Sequence, residues 1–475
     1  VPAAQRLPVD KGARGAERAT MAIVTVNPAT GRKLRTYREH TTREANRALD
    51  RATRAFGEWR RLTFAQRARH LRAVARELRR NVERHAALIT AEMGKPVTQA
   101  RAEVEKCAVN CDYFAEAAAR FLADERPEGA PTHRYVSYQP LGVVLTVEPW
   151  NFPFWQVFRA AAPALMAGNT MVLKHASNVT GCARAIETVF IRAGVPRGVF
   201  QTLVISGARA EELVADPRVA MVTLTGSAAV GQRVAARAGA AMKKGVFELG
   251  GSDAYVILAD ADLDLAAELC AESRLYNSGQ SCVAAKRFIV IESVRAPFEK
   301  KLRAALAARR SGDPRDPQTQ LGPLAREDLR RELHAQVRRS VRTGARLLLG
   351  GELPRGEGFF YPATLLSGVQ PGMPAFDEEL FGPVAAVIAA RDEPEAIRLA
   401  NSTPFGLGAG VFTRDRKRGE RIAREQLQAG NAFVNEFVRS HPTLPFGGVK
   451  LSGHGRELGA WGIREFTNVK TISVR

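Results

Sequence analysis

Between Val143 and Leu249 the sequence is written as short apolar runs, Val143 to Val147, Met171 to Leu173, Val199 to Ile205, Ala220 to Leu224 and Val246 to Leu249, separated by segments of helical period. A strand that is apolar on both faces has to be covered on both, and parallel neighbours need long crossovers, which helices supply. The pattern therefore predicts an α/β fold with a parallel sheet of the cofactor-binding kind. From Ala254 a second series begins: Tyr255 to Leu258, a helix near Leu263 to Leu275, Phe288 to Ile291, a helix through Leu302, then strands at Leu347 to Leu349, Val384 to Ala389 and Ala432 to Val434. It reads as another α/β domain, starting where the pair Gly250-Gly251 lets the chain turn.

Ahead of the sheets, Thr41-Thr42-Arg43-Glu44 spells a capping box for a helix with Ala48, Leu49, Ala52 and Phe56 on one face. Thr63 to Gln66 repeats the signal for a helix carrying Leu71, Val74, Leu78 and Val82 inward, and Gly94-Lys95-Pro96 stops a helical stretch. Arg134 to Tyr138 alternates as a half-exposed strand does, and Lys470 to Val474 reads as an edge strand of the sort that pairs with another subunit. Val1 to Thr20 is rich in Arg, Ala and Gly without the apolar core of a signal peptide, so a disordered extension and a cytoplasmic protein are expected.

Composition narrows the partners. The 475 residues suffice for two cores, and no run approaches the ~18 apolar residues of a membrane span. Five cysteines without CxxC spacing argue against a disulfide framework or structural zinc; Cys107 and Cys111 lack accompanying ligands, so no metal is expected. The net charge of +21 comes mostly from arginines scattered over helical faces, as from Arg67 to Arg84, with no aromatic-interleaved patch. No nucleic-acid or membrane partner is expected. Such a field attracts anions, which suits an anionic substrate and a phosphate-bearing cofactor.

Chemistry is concentrated in four places. Tyr276-Asn277-Ser278-Gly279-Gln280-Ser281-Cys282 sets a cysteine after a glycine turn, and Phe247-Glu248-Leu249-Gly250-Gly251 supplies an acid that folding could bring beside it. A lone cysteine is more often a small buried hydrophobe; the alternative is an activated thiol nucleophile. Gly226-Ser227-Ala228-Ala229-Val230-Gly231 follows an apolar strand and opens a helix, Gln232 to Ala241, whose positive end suits phosphate, although an ordinary tight turn fits the spacing as well. Lys174 stands at the carboxyl end of a parallel strand, the edge where open α/β sheets bind ligands. Glu148-Pro149-Trp150-Asn151-Phe152-Pro153 is a stiff loop after another strand, and its Asn151 has the donor an oxyanion needs.

Together Pro149 to Pro153, Lys174, Gly226-Ser227, Glu248 to Gly251, Gly279 to Cys282, Glu379-Leu380-Phe381-Gly382-Pro383 and Pro445-Phe446-Gly447-Gly448 stand in an order and spacing that resembles the aldehyde dehydrogenase superfamily, from about Val24 to the C-terminus. The resemblance implies a Rossmann-type cofactor domain at 21–117 and 141–250, a catalytic domain at 251–443 and a β oligomerisation hairpin, 118–140 with 444–475, building a homodimer or homotetramer. It implies Cys282 as the nucleophile that forms a thiohemiacetal and then a thioester, Asn151 in the oxyanion hole and Glu248 as the base for the hydrolytic water. It places Lys174 and Glu379 on the two riboses, Phe381 near the nicotinamide, Ser227 on the pyrophosphate, and Trp150, Gly226 and Leu249 along the same cofactor.

NAD-specific relatives commonly carry a glutamate three residues after the ribose lysine, where this chain has Ser177. A serine does not repel a 2′-phosphate as a carboxylate would, so NADP is expected to be accepted beside NAD and is allowed to be preferred. The run from Asn151 to Asn169 resembles the succinate-semialdehyde dehydrogenase branch. Arg159 would then pair with the substrate's distal carboxylate, helped by Ser440, with Ser281, Trp155 and Phe158 around the aldehyde. A surface or interdomain salt bridge is the other reading of Arg159. Where some of that branch have a second arginine this chain has Tyr276, which Arg274 or Arg439 would have to make good, and Ala284 removes a redox-switch cysteine. The expected reaction is succinic semialdehyde to succinate. Glutarate semialdehyde or an aliphatic or aromatic aldehyde is the alternative within enzymes, and a non-catalytic binding relative the alternative outside them.

Overall fold

Thr41 and Thr63 both start helices. In the computed structural model, which describes residues 22–474, Thr41 Oγ1 accepts from Glu44 N–H at 3.2 Å while Thr41 N–H donates to the Glu44 carboxylate at 2.8 Å; Thr63 and Gln66 repeat the exchange. The expected extension at 1–20 lies outside the described residues. After an antiparallel pair, β1 (Ala22–Val26) and β2 (Lys33–Arg38), come α1 (Thr42–Trp59), α2 (Phe64–Arg80), α3 (Val82–Met93) and α4 (Val97–Phe121). Val82 does not extend the inner face of α2: the chain breaks at Asn81 and Val82 is the half-buried first residue of α3. Gly94, at φ 80°, closes α3. The expected hairpin start at 118 is corrected as well. The buried run Ala115, Ala117, Ala118 and Leu122 keeps α4 helical to Phe121, and the strand β3 (Arg134–Pro140) begins later.

The first sheet follows in βαβ units: β4 (Val143–Glu148), α5 (Trp155–Met166), β5 (Thr170–His175), α6 (Thr180–Arg192), β6 (Phe200–Leu203), α7 (Gly207–Leu213), β7 (Val219–Thr225), α8 (Ala228–Ala240) and β8 (Lys244–Glu248). Ser227 is the N-cap of α8, so this helix opens at Ala228, four residues before the sequence suggested. The strands run parallel in the order β8-β7-β4-β5-β6, and Gly453–His454 adds antiparallel beyond β8. The direction of winding reverses at β4, so the crevice beyond its carboxyl end is the switch point at which such sheets bind ligands. Leu145, Val172, Val222 and Phe247 bury the sheet against its helices.

The second sheet is built from β9 (Ala254–Ile257), α9 (Leu263–Leu275), β10 (Arg287–Ile291), α10 (Glu292–Ala307), α11 (Glu327–Arg342), β11 (Arg346–Leu349), β12 (Thr364–Ser367), β13 (Val384–Ala390), β14 (Gly408–Phe412) and β15 (Asn431–Val434). Its order is β11-β12-β13-β10-β9-β14-β15, parallel except for β11. The cysteine loop lies between α9 and β10. The tail strand Thr467–Ser473 pairs antiparallel with β3, Arg134 opposite Ser473 and Pro140 opposite Thr467. These two segments form a ribbon separate from both sheets.

Candidate active site

His175 anchors the loop after β4. Burial lowers its pKa to about 4, and a neutral ring that accepts from Ala176 N–H (2.9 Å) and donates from Nε2 to the Pro153 carbonyl (2.8 Å) uses both nitrogens. Glu103 of α4 fixes the next residues, accepting from the N–H groups of Phe154 (2.8 Å) and Trp155 (3.0 Å) and pairing with buried Lys95. The phase of α5 is thereby set. Trp155, Gln156 and Arg159 face a cavity, whereas Phe158 turns into the core, stacked on Phe154 and Phe190, and does not line that cavity. Its expected place at the substrate is corrected by one helical phase.

The cysteine loop is held open by unusual backbone. Asn277 (φ 54°), Ser278 (φ 55°) and Gly279 (φ 72°) are successively left-handed, which costs about 1–3 kcal/mol for each non-glycine residue. Three groups over-determine this conformation. Lys286 Nζ donates to the carbonyls of Ser281 (3.1 Å), Cys282 (2.8 Å) and Ala284 (3.2 Å), the Arg274 guanidinium donates to the Gly279 carbonyl, and Asn277 Nδ2 donates to the Asn151 carbonyl (2.7 Å). Arg274 is thus spent on the loop and does not line the cavity that holds Ser440. Gly250 and Gly251 serve close approach, not a turn, for neither has positive φ. A β-carbon at Gly250 would stand 2.5 Å from the Glu379 carboxylate and one at Gly251 2.6 Å from the Cys282 carbonyl.

Half-buried Cys282 stands where two cavities meet. One, of about 530 Å³, is also lined by Trp150, Asn151, Gly226, Ser227, Leu249, Glu379 and Phe381, all expected at the cofactor apart from Asn151. Phe381 meets Trp150 edge-on at 5.6 Å, and the Glu379 carboxylate accepts from Gly251 N–H at 2.9 Å. Along α8 the first N–H bonded back into the helix is that of Gly231, to Ser227 O, leaving earlier donors at its positive end open beside Gly226 and Ser227. Lys174 and Ser177 line a separate hollow of about 480 Å³ with Arg326. The helix α11 joins the two, with Glu327 and Asp328 at the hollow and Leu333 and Gln336 at the larger cavity.

The second cavity at Cys282, of about 210 Å³, brings together Trp155, Arg159, Ser281 and Ser440 with Lys106, Gln156, Tyr276 and Phe446. Arg159 is almost fully buried here, yet its charge is already paired: the guanidinium forms an ion pair with buried Glu457, donates to Thr225 Oγ1 at 3.1 Å and covers the Phe446 ring at 5.1 Å. Of the two other readings of Arg159, the surface salt bridge does not hold, whereas a buried salt bridge between the cofactor segment and the tail does form. Lys106 and Glu457 were missed by sequence reasoning. Lys106 reads there as one more charge on a charged helix, and Glu457 as part of the tail.

Electrostatics at the thiol and the acid are governed by burial. The Cys282 thiol is pushed up to about 12 by desolvation, against the pull of Arg159 and Lys286. Burial and then Glu457 hold the Glu248 carboxyl well above the ordinary carboxylate range. Both its oxygens are buried without hydrogen-bond partners, and a β-carbon on Gly447 would lie 2.7 Å from Oε1. The side chain is therefore turned toward Gly447 and lines neither cavity at Cys282. Asn151 Nδ2 donates to the Gln280 carbonyl at 3.1 Å, which uses one of its two N–H groups. No cluster of potential metal ligands occurs among the described residues, and none of their helices is long and apolar enough to cross a membrane.

Comparison with known proteins gives the same frame. The model of the aldehyde dehydrogenase family matches residues 16–472. The chain is 48% identical over 452 residues to a probable NADP(+) succinate-semialdehyde dehydrogenase of Synechocystis, covering 95% of this chain and 99% of that one. It is 46% identical over 454 residues to an NAD(P)+ succinate semialdehyde dehydrogenase of Escherichia coli, covering 96% and 98%. A solved succinic semialdehyde dehydrogenase from Streptococcus pyogenes, in complex with NADP+ as the cofactor, superposes with a TM-score of 0.93 at 37% identity over 95% of this chain and all of that one.

Proposed function

The chain belongs to the aldehyde dehydrogenase family, and from that premise we propose that it oxidises succinic semialdehyde to succinate with NADP or NAD as the hydride acceptor. The observation that carries this reading is the place of Cys282 between a larger cavity with open helix N–H groups and a smaller one lined by Lys106, Arg159 and Arg439. The residues present fit the dinucleotide. Gly226, Ser227 and the start of α8 offer donors to its phosphates, Lys174 and Glu379 offer partners to its sugars, and Ser177 sets no carboxylate against a 2′-phosphate.

Cys282 attacks the aldehyde carbon as the thiolate, and the carbonyl oxygen becomes an alkoxide that the Asn151 amide and the Cys282 N–H receive. The bound nicotinamide supplies the hydride acceptor. Loss of hydride from the thiohemiacetal carbon leaves a succinyl thioester on Cys282. Glu248, rotated from Gly447 toward the thioester, takes a proton from the attacking water, and the thiol departs as succinate forms. Burial and Glu457 raise the pKa of Glu248, so the base form, and deacylation with it, grows as pH rises. Retention of this acid favours hydrolysis over transfer to coenzyme A.

The finer organisation belongs to the same proposal. The cofactor domain is drawn from 21–117 and 141–250 and the catalytic domain from 251–443. The ribbon of β3 and the tail, with Val469 and Val474 exposed, joins subunits of a dimer or tetramer in the cytoplasm. The test is the initial rate of nicotinamide reduction with succinic semialdehyde and with butyraldehyde, an uncharged aldehyde of equal chain length. A higher kcat/KM for the semialdehyde is expected; equal or better use of butyraldehyde would sink the substrate assignment while leaving aldehyde oxidation in place.

A further inference from the structure

Among the cations lining the smaller cavity at Cys282, half-buried Lys106 differs from buried Arg159 in having no carboxylate partner. Lys95 is paired with Glu103, Arg159 with Glu457, and Lys286 with three carbonyls and Glu379 at 3.7 Å; Arg274, which lies outside this cavity, donates to the Gly279 carbonyl and leaves Nε and Nη1 without partners. Lys106, on α4, has no carboxylate within ion-pair distance among the described residues. Its ammonium donates to Ser440 Oγ at 2.8 Å and lies 4.2 Å from the centre of the Trp155 ring, and all three residues line the 210 Å³ cavity that ends at Cys282. An ammonium has three donors, so one neutral hydroxyl and a ring face leave it short of an anion.

The neighbouring carboxylates are held away from this ammonium. Glu103, one turn before Lys106 on α4, is consumed by Lys95 and the two N–H groups that start α5. Glu272 is exposed at the same cavity, and exposed Arg439 faces it from the Ser440 side. Burial, with Arg159 and Arg439 nearby, brings the Lys106 pKa down to about 8, the direction expected of a cation awaiting its counter-ion.

We propose that Lys106 is the residue that receives the distal carboxylate of the substrate, with Ser440, which accepts from it and keeps its own O–H to donate, as the second contact. Arg159 is then a positioning residue that holds Glu457 behind Glu248. This rests on the substrate reading above and replaces the clamp that the sequence assigned to Arg159. Lys106 is specific for the charged end of the aldehyde; the thiol chemistry does not need it.

The test is the ratio of kcat/KM for succinic semialdehyde to kcat/KM for butyraldehyde, measured in wild type, Lys106→Met, Lys106→Arg and Arg159→Met. Losing one partner of a desolvated charge pair lowers the ratio about 100-fold in Lys106→Met, chiefly through the KM of the semialdehyde, and Lys106→Arg recovers about tenfold of it. Arg159→Met slows both aldehydes together and keeps the ratio within about threefold, because it strands Glu457 instead of the substrate. A preference in the wild type that survives Lys106→Met, or vanishes in Arg159→Met alone, overturns the proposal. A wild type without preference overturns the substrate reading itself, and the proposal with it.

Discussion

Replacing Ser177 with glutamate would shift the cofactor balance toward NAD. Ser177 is exposed at the rim of the hollow it shares with Lys174 and Arg326, so a longer carboxylate there would meet the ribose that Lys174 is proposed to hold. A 2′-phosphate carries about −1.5 to −2 charges, and like charges at ~4 Å repel by about 1 kcal/mol in water and about 4 kcal/mol at an effective dielectric of 20. Exposure places the site nearer the first limit. Taking about 1–2 kcal/mol per unit charge gives roughly 2–4 kcal/mol, or about 30- to 1,000-fold in kcat/KM for NADP. NAD brings hydroxyls that the new carboxylate accepts, worth about 1 kcal/mol and a gain of about fivefold. The assay is kcat/KM for each dinucleotide at saturating aldehyde, in wild type and Ser177→Glu. An NADP efficiency within about threefold of wild type would show that this hollow does not hold the 2′-position.

Three further outcomes follow from close contacts and buried charges. Gly447→Ala puts a methyl 2.7 Å from Glu248 Oε1 and 2.8 Å from the Gly455 carbonyl; overpacking of this kind costs about 1–3 kcal/mol, seen as a lower Tm, and kcat falls as Glu248 is displaced. With the thiol pushed up to about 12, alkylation of Cys282 by iodoacetamide in the cofactor-free protein keeps rising from about pH 7 to about pH 10; a plateau by about pH 8.5 would refute it. Lys286→Met strips the donor from three loop carbonyls, and unsatisfied buried acceptors cost about 1–3 kcal/mol apiece when water is kept out. A denaturant midpoint unchanged from wild type would contradict that bracing role.

The sheets were legible because their signal is local. The runs at Val143, Met171 and Ala220 became β4, β5 and β7 with ends shifted by a residue or two, and Leu263 to Leu275 is α9 residue for residue. The helix starts at Thr41 and Thr63 rest on side chains that bond three residues away, which any window reveals. What the sequence hid is long-range. Whether Arg159 is free for a substrate depends on Glu457 at the far end of the chain, and no local pattern announces the ion pair. The glycine pair at 250 and 251 looked like a turn because its reason, the Glu379 side chain and the Cys282 carbonyl, arrives from other segments. Phe158 was misplaced by helix phase alone. A faint signal for Lys106 did exist: Glu103, Lys106 and Asn110 recur at helical spacing among the apolar residues of α4, and Asn110 Nδ2 donates to the Phe158 carbonyl at 3.0 Å. A stripe of polar groups on an inward helix face needs partners, and here one of them is left open.

The central claim is that Cys282 carries the acyl group that Glu248 helps to release. The most direct measurement is intact mass of Glu248→Gln after mixing with succinic semialdehyde and NADP, followed by peptide mapping. A single succinyl adduct on the peptide holding Cys282, absent in Cys282→Ser, is the predicted result. Sustained turnover with no adduct, or an adduct that persists without Cys282, would contradict it.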